Sequence, residues 1–74
     1  ATIHRNAMHS REIIRRLQAD GWQRKKVKGS HHHFTHPGKP GKVTVKHPAK
    51  DFRIGTLISI ERQSGVRLRS WTAQ

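Results

Sequence analysis

The chain contains no cysteine and only four acidic side chains among its 74 residues. The first absence rules out disulfides, thiol nucleophiles and thiolate metal sites. The second removes the clustered carboxylates that two-metal phosphodiester cleavage and glycosidase chemistry require, because Glu12, Asp20, Asp51 and Glu61 are scattered one to a segment. No apolar run approaches the roughly 18 residues of a membrane span. Ile3-His4-Arg5-Asn6 interrupts any signal-peptide-like apolar region. No serine stands in a nucleophile-elbow pattern, and Pro37-Gly38-Lys39-Pro40-Gly41 lacks the spacing of a phosphate-binding loop. With apolar residues at only 31%, a chain of this length is expected to form one domain with one small core.

What the sequence has in excess is positive charge. Sixteen Lys and Arg give a net charge of +12. A field of that size points to phosphate backbones, an anionic membrane or an acidic protein, and nucleic acid leads because no basic amphipathic or membrane-spanning segment accompanies it. The lack of cysteine fits a bacterial-type cytoplasm.

Periodicity places the elements. Ile13, Ile14 and Leu17 form one apolar stripe, with Ser10 as N-cap, Glu12 in the first turn and Gly21 as stop, so a helix is expected over about 10–20. "WQRKKVK" (22–28) reads as a basic edge strand and 31–36 as a second strand, joined by a Gly29-Ser30 turn. Residues 37–41 read as a loop and 42–47 as a third strand with Val43 and Val45 inward. Ile54, Leu57, Ile58 and Ile60 mark a second helix over about 54–63, closed by Gly65. Residues 1–9 read as a loose arm and 67–74, with Leu68 and Trp71, as a tail without an assigned partner. The expected fold is α+β in the order α-β-β-β-α: a three-stranded antiparallel sheet with both helices on one face, the order of double-stranded-RNA-binding domains.

Residues 29–37 read "GSHHHFTHP", four histidines in nine positions. With Phe34 inward, alternation puts His32 and His36 on its side and His31, His33 and Thr35 on the other. A zinc or nickel site built on His31 and His33 is one reading, opposed by the cationic surroundings. An affinity tag is disfavoured because the run is internal and lies inside a patterned hairpin. The third reading is proton transfer on RNA. RNA carries its own 2′-hydroxyl nucleophile, so a nuclease needs only a base, donors for the phosphorane and an acid for the leaving oxygen, with no metal or other cofactor. The positive field favours neutral imidazole, the form able to act as base. Arg24, Lys28 and Lys46 are candidates to hold the phosphate. His4 and His9 read as solvated surface residues.

"SREIIRRLQADGW", "GSHHHFTHPGKPGKVTVKHPAKD" and "IGTLISIERQSGV" together resemble the HicA (YcfA-like) toxins of bacterial toxin–antitoxin pairs, over residues 10–66. The resemblance implies a metal-independent mRNA interferase that arrests translation until a HicB-like antitoxin masks it, with an acidic contact surface expected on that partner. It implies one key catalytic histidine just after the Gly-Ser turn, here His31, with His32 as the fallback. Arg24, Lys26, Lys28, Ser30, Lys46, His47 and Lys50 are the expected RNA-contacting residues, His47 and Lys50 in a structural or RNA-contacting role. The runner-up is an RNA-binding module of the same fold without catalysis.

Overall fold

The computed structural model describes residues 8–50 and 52–68. Helix α1 (Ser10–Ala19) is followed by strands β1 (Gln23–Lys28), β2 (His31–His36) and β3 (Lys39–Lys46) and by helix α2 (Ile54–Ser64). The strands form an antiparallel meander in the order β1-β2-β3. This is the expected α-β-β-β-α arrangement.

One face of the sheet carries the core. Phe34, Val43 and Val45 are fully buried there against Ile13 and Leu17 of α1 and Leu57 and Ile60 of α2. Met8, Trp22, Phe52 and Leu68 complete the cluster. Met8 and Leu68 thus enlarge the core from outside the two helices, and the Leu68 N–H donates to Glu61 Oε2 at 2.7 Å. Trp71 and His4 lie outside the described residues.

Three local expectations are corrected. Ser10 is not the cap of α1: His9 is, its ring nitrogen accepting from the Arg11 N–H at 3.0 Å. Ser10 is instead the first helical residue and is fully buried, its hydroxyl committed to tertiary bonds described below. His9 is accordingly a half-buried capping residue rather than a solvated one. Third, β3 begins at Lys39, not Lys42, because Lys39 pairs with His36 and draws Pro40 and Gly41 into the strand through an irregular register. Gly41, at φ 85°, supplies the positive φ that this requires.

The end of the molecule where α1 stops is clamped by polar bonds. His36 Nε2 donates to the Asp20 carbonyl at 2.7 Å while its Nδ1 accepts from the Gly38 N–H at 2.8 Å. Lys39 Nζ donates to Asp20 Oδ2 at 2.6 Å and to the Ser64 carbonyl at 2.9 Å, tying α1 to α2. Gly21 passes over the His36 ring with φ 106°, and a Cβ there would stand 2.7 Å from Nε2. Only glycine meets both conditions without strain.

Candidate functional site

The opposite end gathers His9, His32 and His47. Gly29, at φ 60°, and Ser30, with negative φ, form a two-residue hairpin turn of the type that matches strand twist. The Ser30 carbonyl then accepts from the His47 N–H at 2.7 Å, which brings the start of β2 beside the segment following β3. That segment, with a cis His47–Pro48 peptide, is locked to the start of α1. The Ser10 N–H donates to the Ala49 carbonyl at 2.8 Å, and the Ala49 N–H donates back to Ser10 Oγ at 2.9 Å. Ser10 Oγ also lies 2.6 Å from His47 Nδ1.

His32 projects from the core face of β2 into this corner. Its ring meets that of His47 edge to face, centroids 5.0 Å apart and planes at 88°. His9 approaches His47 from the other side at 6.4 Å. Arg24 Nη1 stands 3.4 Å from His32 Nδ1. Arginine only donates, so Nδ1 of the neutral ring presents its lone pair there. Burial pushes the His32 pKa below its ordinary value, with the charges of His47 and Arg24 adding to the effect and a hydrogen bond to the His47 backbone opposing it. The neutral ring is favoured, with its Nδ1 beside a guanidinium.

Arg24 reaches this face only because of a bulge. Counting back from Val27, paired with His32, simple alternation puts Lys25 on the core face and Arg24 on the open face. The register shifts between Arg24 and Lys26, so Arg24 pairs with Phe34 and comes to lie on the side of His32.

The open face carries the other half of the expected set. His31 pairs with Lys28 on one side and Lys46 on the other, and His33 pairs with Lys26 and Thr44. Cross-strand partners share a face, so these residues form two cationic rows across the sheet. His33 Nδ1 lies 2.8 Å from Thr44 Oγ1. Burial lowers the His33 pKa first, and Lys42, His31, Lys26 and Lys28 reinforce it. The expected site residues therefore divide: Arg24, His32 and His47 meet on the core face, whereas His31, Lys26, Lys28 and Lys46 stand on the open one. Ser30 serves through its backbone, and Lys50 is exposed two residues beyond the cis proline. Sequence reasoning missed His9 and Ser10 as parts of this corner, for Ser10 meets His47 across 37 residues of chain and no local pattern announces it.

Among the described residues no group of three or more His, Cys, Asp or Glu side chains is arranged to hold a metal ion, and no helix is long and apolar enough to cross a membrane.

The sequence profile described as the HicA toxin of bacterial toxin–antitoxin systems matches residues 10–66. The chain belongs to the HicA toxin family. A chain of a solved structure described as a HicA3 and HicB3 toxin-antitoxin complex is similar at 32% identity with a TM-score of 0.70, the alignment covering 82% of this chain and 98% of that one. No curated protein matches significantly. The HicA match takes in both β hairpins, Ser10 and the His47 segment; His9 alone of the three clustered histidines precedes it.

Proposed function

We propose that this HicA-family chain is a cytoplasmic mRNA interferase, an endoribonuclease that stops translation by cutting mRNA and is held inactive by a HicB-like antitoxin. The solved relative in complex with HicB3 supports the partner, and a net charge of +12 favours an acidic contact surface on it. Catalysis needs no metal in this reading, because the RNA supplies the nucleophile and a neutral imidazole supplies the base.

Sequence reasoning ranked His31 first and His32 second. We take His32 as the base on one observation: its Nδ1 faces Arg24 Nη1 at 3.4 Å. A phosphate drawn to that guanidinium brings the adjoining ribose to the lone pair of Nδ1. Arg24 then turns from the ring to the phosphate oxygens and stabilises the phosphorane. His31 stands between two lysines on the open face, and there it contacts RNA together with Lys26, Lys28 and Lys46. The products are a 2′,3′-cyclic phosphate and a 5′-hydroxyl.

The test is a cleavage assay with purified protein and three single variants, His31→Ala, His32→Ala and His33→Ala. His32→Ala is expected to lose about 10²–10⁴-fold in rate while still binding RNA. Wild-type cleavage by that variant, with loss in His31→Ala, returns the role to His31. If the pure wild-type protein binds RNA and leaves it intact, the chain is an RNA-binding module.

A further inference from the structure

A base alone leaves the reaction unfinished, because the 5′-oxygen departs as an alkoxide unless a proton reaches it. We propose that His47 is the general acid of this site. The proposal rests on the reading of His32 as base and names the group that reading lacks.

Position is the first argument. His47 is the ionisable side chain whose ring directly abuts His32, with centroids 5.0 Å apart and planes at 88°. The two rings touch, so a phosphate is seated across their outer edges beside Arg24 rather than between them. The edge of one ring then addresses the attacking oxygen and the edge of the other the leaving oxygen.

A hydroxyl tether holds the His47 ring in place. His47 Nδ1 lies 2.6 Å from Ser10 Oγ, and that oxygen accepts the Ala49 N–H at 2.9 Å. A hydroxyl has one hydrogen and two lone pairs. Its two lone pairs accept the Ala49 N–H and the His47 Nδ1–H together, both when the ring is charged and when it is the neutral Nδ1–H tautomer. His47 therefore gains and loses a proton on Nε2 without its ring being released. At the other end His36 differs, with a carbonyl engaging its Nε2 and an N–H engaging its Nδ1, so neither nitrogen is left to exchange a proton.

Burial, His47 and Arg24 all act against charge on His32, which suits it to the role of base.

The step balances as follows. The 2′-oxygen forms its bond to phosphorus as its proton passes to His32 Nδ1. The bond from phosphorus to the 5′-oxygen breaks, and that oxygen takes the proton of His47 Nε2. His32 ends charged and His47 neutral, and exchange with water restores both.

The experiment compares two RNA substrates. One is ordinary; in the other a sulfur atom replaces the 5′-bridging oxygen at the cleaved linkage, a leaving group that departs without protonation. His47→Ala and His47→Gln are expected to cut the ordinary RNA at least about 10²-fold more slowly than wild type and the sulfur-bridged RNA within about tenfold of wild type. His32→Ala is expected to be slow on both. Equal loss on both substrates by a His47 variant that retains the wild-type circular dichroism spectrum overturns the proposal, as does full activity on both. The glutamine variant keeps a polar group against Ser10 and serves if alanine prevents folding. If His32→Ala cleaves normally while the His47 variants show the substrate-dependent loss, the base assignment fails and the acid assignment stands.

Discussion

As the proposed base, His32 would work only while it is unprotonated, and its surroundings favour that form. Its pKa is displaced below the ordinary 6.5 chiefly by burial, so cleavage is expected to persist below pH 6.5 and to fall with an apparent midpoint under that value, checked by kcat/KM against pH. The same displacement sets a stability trend. His33 is lowered as well, and the unfolded chain then binds more protons than the folded one between the depressed values and 6.5. The histidine contribution is therefore complete above pH 6.5 and declines as pH falls through that window. Glu12, held down to about 2 by Arg15 and Arg16, adds a second loss as pH drops from about 4.5 towards about 2. Thermal midpoints measured from pH 8 to pH 3 are expected to fall in both windows. Alternation alone separates His32 from its neighbours His31 and His33, so the face of each was legible in the sequence. The face on which Arg24 lies was not, because the bulge that turns Arg24 over leaves no mark in "QRKKVK".

The elements themselves were mostly legible, because each rests on a short-range pattern: Ile13, Ile14 and Leu17 for α1, Val43 and Val45 for β3, and Leu57 and Ile60 ahead of Gly65 for α2. What escaped were the joints between them. Ser10 has the chemistry of a cap, but burial redirects its hydroxyl to His47 and Ala49, while His9 takes over the helix end. Pro40 and Gly41 look like punctuation, yet the pairing of Lys39 with His36 carries the strand through them. The Ser10 joint has a measurable weight. Ser10→Ala leaves the Ala49 N–H without its partner and frees the His47 ring, and it is expected to cost about 1–3 kcal/mol in denaturant unfolding. Cleavage should slow while RNA binding persists. A cleavage rate equal to wild type at full folding would separate the joint from the chemistry.

For the whole molecule, the lysine rows of the sheet and the histidine corner lie on different faces. The open face presents Lys26, Lys28, Lys42 and Lys46 with His31 and His33, whereas Arg24, His32 and His47 occupy the corner next to α1. RNA that engages both would have to wrap around an edge of the sheet. Binding is then expected to weaken steeply with salt, and Lys28→Ala should reduce the slope of log K against log salt by about 0.7 on single-stranded RNA. The same variant is expected to change the rate at saturating RNA little, since Lys28 lies across the sheet from the corner. Composition alone pointed to nucleic acid ahead of an anionic membrane or an acidic protein; which cations share a face with which histidines became visible only with the register.

Strand β1 is exposed along its entire length, and four of its six residues are cationic. Two such borders brought alongside each other would set four charges against four, which discourages the chain from zipping onto a twin. Toxin released from its inhibitor would then remain dispersed, and its potency would scale with the number of molecules set free.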